Sequence, residues 1–404
     1  MKQFDILVAG GRLRGRGENS FDIGIREGRV QAIEPKLSRE SDLTVEANGN
    51  LVSESFVNPH LHLDKVFTLA MLDDAAMKDY QGESMGKAMS AIEQAAKVKE
   101  TYDRAWIIDN VRTALRWAAR NGNTHMRAFA DVDSKAKLEG VAALIEAREE
   151  FKGIVEVQVV AFPQDGVVRD PGTAQLIREA MAMGADLVGG IPWIEYSDRD
   201  AESHIDQMVE IAVEHEAGVS MLVDDAGDPG LRTLEMLALK TIEVGWQGKV
   251  LAHHARAMAL YPKPYFQKLA ALLRQAQIGV VTDPHTGPLH ARVRELREER
   301  VLVCLGQDDI TDAYYPYGQN NMLEVAFLAS HLLWMAGRHE MEVLYDMVTV
   351  DAARAMGIRD HRLEVGAPAN LVVLDGPNVL EALRFHRAPR AVISHGRLID
   401  DQGE

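Results

Sequence analysis

The segment FVNPHLHLDK, residues 56–65, carries two histidines one residue apart. In an extended strand, residues i and i+2 project to the same face, so His60 and His62 can present both imidazoles to one cation while Leu61 turns away. Imidazole and carboxylate groups together suit zinc, iron(II) or manganese(II). Alone, such a pair is weak evidence for a metal, since two satisfied core or surface histidines account for it more readily. It does not stand alone. Asp64 follows it, and polar side chains recur where later apolar runs end. Asp131 closes HMRAFAD, Gln164 and Asp165 close VVAFPQD, and Asp224 and Asp225 close MLVDD. His253 and His254 close LAHH, and Asp283 and His285 lie in VTDPHTG. Asp308, Asp309, Asp312 and Tyr314 lie in LGQDDITDAYY. A cation shared by His60, His62 and the first acid of GQDD would lower the pKa of bound water and support hydrolysis near neutral pH.

Such a constellation needs a scaffold that brings many strand ends together. Apolar runs of strand length (IVEVQVVAF, ADLVGG, VSMLV, KVLAHH, IGVVT, VLVCLG) alternate with segments of helical spacing such as AWIIDNVRTALRWAARNG, which ends in the stop signal Asn-Gly. About eight such units over about 300 residues predict a parallel α/β fold, and their number favours a (β/α)8 barrel, whose active site lies at the C-terminal ends of the strands. A doubly wound sheet would need a glycine-rich phosphate turn leading into a helix. LVAGGRLRGRG is glycine-rich but leads into an arginine-rich turn. Short alternating strands at both ends predict one small β-sandwich unit built from residues 1–55 and 365–404, with the barrel over 56–364.

The 404 residues are 47% hydrophobic and carry a formal net charge of −17. That balance allows a large core and argues against nucleic acid or an anionic membrane as partner. The single cysteine, Cys304, excludes an intramolecular disulfide and sits in an apolar run, as an inert packed thiol does. MKQFDILVAGG lacks the pattern of a signal peptide, and no apolar stretch reaches the roughly 20 residues of a membrane span. The expectation is a cytoplasmic protein.

These motifs together resemble the amidohydrolase superfamily, and within it the cytosine deaminase branch. FVNPHLHLDK is similar to its Phe-Val-x-x-His-x-His-x-Asp strand, and VVAFPQDG to its Val-Ala-Phe-Pro-Gln-x-Gly. DLVGGIP, LGQDDITDAYYPYGQNNML and GAPANLVVLDG match further segments of the branch, so the likeness covers essentially the whole chain. Lys65, after the aspartate, resembles the N-isopropylammelide amidohydrolases of triazine degradation in the same branch. The resemblance implies one divalent metal ion, zinc or iron with manganese also acceptable, held by His60, His62 and Asp308. It implies Asp308 as proton acceptor and His254 as a hydrogen-bonding group for the reacting water or the oxyanion. Gln164, Asp309 and Tyr314 would line the substrate pocket, with His285 a further pocket residue. Relatives commonly assemble, which implies a homo-oligomer.

Two departures stand out. The branch carries His-x-x-Glu on strand five, a metal ligand and a proton shuttle; the register here gives Leu222 and Asp225. Asp225 keeps a carboxylate for the shuttle, or it caps the next helix. Leu222 cannot bind a metal. On strand three, Phe129 replaces a histidine. Either a neighbour (Asp224, Asp225, His253 or His285) replaces the lost ligand, or three protein ligands suffice, or the metal chemistry has been abandoned. The expected function is a metal-dependent hydrolase of a C–N bond in a small nitrogen heterocycle, such as a cytosine-like pyrimidine or a triazine. The rivals are a ring-opening cyclic amide hydrolase and a binding protein that retains the pocket without turnover.

Overall fold

The computed structural model describes residues 2–38, 40–71 and 96–400. Residues 1, 39 and 401–404 of the expected β unit, and 72–95 of the expected barrel, lie outside these. Five strands come first: β1 (Phe4–Leu13), β2 (Ser20–Arg26), β3 (Arg29–Glu34), β4 (Ser41–Glu46) and β5 (Leu51–Glu54). The barrel follows as β6 (Phe56–His62), β7 (Asn123–Asp131), β8 (Glu156–Phe162), β9 (Leu187–Gly190), β10 (Gly218–Val223), β11 (Val250–His254), β12 (Gly279–Thr282) and β13 (Val303–Leu305). The chain ends with β14 (Leu371–Val373), β15 (Ala391–Ser394) and β16 (Arg397–Ile399).

β6 to β13 pair in sequence order, each neighbour parallel, and a helix lies between each pair of consecutive strands. This is the expected (β/α)8 barrel. The second sheet joins both termini in the order β16-β15-β14-β5-β1-β2-β3, with β4 paired to β1. Its own core packs Ile6, Val8, Ile23, Ile25, Val52, Leu371 and Ile393, separately from the barrel's main core. Among the described residues, no helix is long and apolar enough to cross a membrane.

Local sequence accounts for the helices. Arg104–Arg120 starts where the Asp103 side chain accepts a hydrogen bond from the Ala105 N–H. It buries Ile107, Ile108, Val111, Ala114, Leu115, Ala118 and Ala119, a stripe at helical spacing that packs on the strands. It stops at Asn121, and Gly122 follows at φ +83° with room for no side chain: a Cβ there would lie 2.6 Å from Val372. The Gly122 carbonyl accepts from the Phe56 N–H, so the helix stop fixes the entry of β6.

Phe56 is fully buried and meets Tyr345 edge-on, at 5.8 Å between ring centroids. Phe56→Ala is expected to cost about 3–5 kcal/mol, the range for truncating a buried aromatic. Urea unfolding would show this as a lowered midpoint with an unchanged slope.

Candidate metal centre and active site

The barrel closes between β6 and the segment that leaves β13, and the main chain at that seam belongs to the residues the sequence singled out. The His62 N–H donates to the Asp308 carbonyl at 2.8 Å, and the Asp308 N–H donates to the His60 carbonyl at 2.8 Å. Leu61 and Asp308 form an isolated parallel bridge. Gly306 makes the approach possible, because a Cβ there would lie 2.3 Å from Asp283 Oδ1 and 2.7 Å from His60 Cβ. Asp308 has φ +67°, a left-handed conformation unusual outside glycine.

The side chains then converge. Asp308 Oδ1 lies 3.3 Å from His60 Nε2 and 3.5 Å from His62 Nε2. Atoms bound at about 2.0–2.2 Å to a tetrahedral cation sit roughly 3.3–3.6 Å apart. His60 Nε2 and Asp308 Oδ1 are buried and make no hydrogen bond within the protein. Two polar atoms left this way would be costly without a further partner, and a divalent cation is one that fits this donor set.

Further groups ring this trio. Asp283 Oδ2 lies 3.3 Å from both His60 Nδ1 and His254 Nδ1. His253 Nδ1 is 3.1 Å from His60 Nδ1. His285 Nε2 lies 3.7 Å from Asp308 Oδ2 and 3.6 Å from Asp309 Oδ2, and its ring packs at a tilt against Tyr315, 4.1 Å between centroids. Strand alternation would send His253 and His254 to opposite sides. The structure turns both toward His60, because His254 and Ala255 adopt φ +65° and +52° and break the alternation. Burial holds the His62 imidazole well below its usual range and lowers His254 and His285 to about 4, so these rings are neutral near pH 7. Burial, with Asp309 and Asp283 nearby, pushes Asp308 well above the carboxylate range, and burial raises Asp309 to about 6. A cation would reverse that pressure on the acids.

On the other side the wall is apolar. Phe129 lies against His60 at 4.5 Å and His62 at 5.4 Å, and packs in one cluster with Phe162, Leu187, Ile191, Trp193 and Leu222. Leu222 is thus a packing residue of that wall. Of the candidates to replace a strand-five ligand, Asp224 is committed elsewhere: it accepts from the Thr233 N–H and hydroxyl and from the Tyr261 hydroxyl, holding the start of the helix Thr233–Glu243. Asp225 does not take that cap. It receives the Arg256 guanidinium at 2.5 Å and lies 3.8 Å from His254.

Next to the trio is a buried polar network. Lys65 donates to both oxygens of Asp131, at 2.8 and 2.9 Å, and to Gln164 Oε1 at 3.1 Å. Burial works against the Lys65 charge, but Asp131 and Asp64 outweigh it and keep the ammonium protonated. Lys99 bonds Asp133 and Asp165, and Tyr314 lies 5.8 Å from the Lys65 ammonium. Since Lys65 occupies the Gln164 carbonyl, that side chain can meet a ligand through its amide N–H groups. Asp64 faces away from the trio, accepting from the Tyr102 hydroxyl and the Asp131 N–H. The structure therefore gathers His60, His62, His254, Asp308, Asp309 and His285, sets Asp225 at the edge, and places Gln164 and Tyr314 around Lys65. Sequence reasoning assigned no role to Asp283, Lys65 or Arg256. Asp283 was singled out at the end of its strand but given no task, whereas Arg256 carries no such signal.

A profile of the amidohydrolase family matches residues 43–400. The N-isopropylammelide isopropyl amidohydrolase of Pseudomonas sp. (strain ADP) is 30% identical over 98% of each chain. The solved 5-methylcytosine deaminase of Klebsiella pneumoniae, liganded with phosphonocytosine, superposes with a TM-score of 0.88 at 28% identity, covering 98% of each chain. The N-isopropylammelide isopropylaminohydrolase of Burkholderia multivorans gives 0.86 at 27% identity, again over 98% of each. The chain belongs to the amidohydrolase family.

In metal-free protein, the His254 and His285 ring resonances are expected to titrate near pH 4 by NMR of labelled histidine. Their folded pKa lies below the unfolded value of about 6.5, so the unfolded chain takes up protons first as pH falls. Their contribution to stability is complete above about 6.5 and is lost as pH falls toward 4, which acid unfolding would register. Resonances that titrate near 6.5 would contradict this.

Proposed function

We propose that this amidohydrolase is a metal-dependent hydrolase of an exocyclic C–N bond on a small nitrogen heterocycle, a cytosine-like pyrimidine or a triazine, releasing ammonia or an alkylamine. The observation that carries the reading is the convergence of His60 Nε2, His62 Nε2 and Asp308 Oδ1 beside the Lys65–Gln164 network. The relatives support the substrate class, since the names of those compared above refer to ammelide or methylcytosine.

His60, His62 and Asp308 would hold one divalent ion, zinc, iron or manganese, which supplies Lewis acidity and makes water acidic enough to react near neutral pH. Asp308 accepts the proton of the attacking water as its oxygen bonds to the ring carbon that bears the amine. Asp225, oriented by Arg256 and 3.8 Å from His254, passes a proton to the adjacent ring nitrogen, and His254 belongs to the same catalytic group. The C–N bond then breaks as the amine takes the proton held by Asp308, and the hydroxyl proton passes to Asp225 as the ring carbon becomes a carbonyl. Gln164 donates to the heterocycle's edge, with Lys65 fixing its amide. Asp309, Tyr314 and His285 line the pocket, and the Phe129–Leu222 wall keeps water from the ring face.

The test is metal analysis of the purified protein followed by amine release from a panel of aminopyrimidines and N-alkylaminotriazines. One ion per chain and release of ammonia or alkylamine are expected. Asp308→Asn should lower kcat by about 10³-fold or more, the scale for removing a general base. Gln164→Leu should act mainly on KM. Ring opening without amine release would replace this reading with a cyclic amide hydrolase. Ligand binding with neither metal nor turnover would leave a binding protein.

A further inference from the structure

We propose that the barrel carries a second ligand site at the end opposite the candidate metal centre. It is a cavity where β11, β12 and β13 begin, and four arginines suit it to a phosphorylated small molecule of about nucleotide size. The site is independent of the hydrolytic reading, because none of its lining residues belongs to the metal centre.

The cavity has a volume of about 540 Å³, within the range of sites that take small organic molecules. Its floor is apolar, built from Val250, Leu251, Ile278, Val301 and Leu302 near the N-terminal ends of the three strands. Its charged walls are helix ends. Arg274 lies in the last turn of the helix Lys263–Ala276, Arg297 in that of Val293–Glu298 and Arg354 in that of Val350–Ala355. Arg300 stands just beyond the second of these. A basic residue in a last turn complements the carbonyl end of its helix. In this barrel three such ends turn toward one hollow, so four guanidiniums line a single space and no carboxylate does.

These charges are only partly compensated. Asp351 accepts from Arg297 Nη1 at 2.7 Å and from Arg354 Nη2 at 3.2 Å. The carbonyl and the carboxylate of Glu299 accept from Arg274 Nη1 at 3.0 and 3.1 Å. Arg300 has no acid partner among the described residues. Four guanidiniums against two carboxylates leave two positive charges in excess, in a chain whose formal net charge is −17. Each paired arginine is bonded through a single nitrogen, so most of its five N–H donors stay open. Arg274, Arg300 and Arg354 are exposed and can meet a ligand arriving from solution. Charge of one sign around an apolar hollow focuses the field and concentrates anions there. A guanidinium fork matches two oxygens of one phosphate, which a point charge does not. The apolar floor then accepts the organic body of the same ligand.

The test is calorimetric titration of the full-length protein with ADP, at low and at high salt, for the wild type, Arg300→Ala, Arg354→Ala and Asp308→Asn. The wild type should bind one ADP per chain, more weakly as salt is raised. Each arginine variant should weaken binding by about 10-fold or more, the scale of losing one hydrogen bond to a charged group. Asp308→Asn, at the other end of the barrel, should leave it unchanged. Unfolding midpoints check that each variant folds; both arginines are exposed, and should one variant fail to fold, the other decides. No saturable binding of ADP, or binding untouched by the arginine variants, would overturn the proposal. Loss of ADP binding in Asp308→Asn would also overturn it, by placing the ligand at the metal centre.

Discussion

The closure of the barrel is the constraint from which the rest follows. A parallel sheet of eight strands has two edges until the first and last meet, and here they meet through hydrogen bonds between His60, His62 and Asp308. Main-chain bonds of 2.8 Å leave little freedom in where the attached side chains begin. The two imidazoles and the carboxylate are held together by the bonds that shut the barrel, whether or not an ion is bound. Gly306 sits at the same seam and admits His60 and Asp283 to within a distance that any side chain would forbid. Stability of the barrel and assembly of the centre are therefore one event.

A second constraint is electrostatic. Asp283, Asp308, Asp309 and Asp312 are all buried at this end of the barrel, and the nearby ammonium of Lys65 is committed to Asp131 and Gln164. Carboxylates this deep and this close raise one another's pKa or require a positive partner. The surrounding imidazoles His62, His254 and His285 are held neutral by burial, so they offer lone pairs rather than charge. That combination suits a divalent cation better than an array of salt bridges, since a cation satisfies lone pairs and carboxylates together.

The apolar wall gives the centre its asymmetry. Phe129, Phe162 and Leu222 close the side of strands β7 to β10, while β11, β12 and the segment after β13 carry the polar groups. The same wall gives Leu222 a packing role at the position where the resemblance implies a ligand, since the side chain belongs to the cluster of Phe129, Phe162 and Trp193.

The barrel, the second sheet from both termini, and the strand-end positions of His60, His62, Gln164, His254 and Asp308 could all be read from the chain. They depend on local periodicity, on turn signals and on motifs whose spacing survives in one dimension. What the sequence could not show was which strand ends face one another and which atoms point inward. Asp224 and Asp225 are adjacent in sequence, yet one holds a helix and the other meets Arg256. His253 and His254 should alternate, yet a left-handed backbone turns both toward His60. Asp283 gained its place between two histidines only when β6, β11 and β12 were wrapped around one axis. Contacts such as His60 with Asp283 join residues more than two hundred positions apart, and only the closed barrel sets that distance.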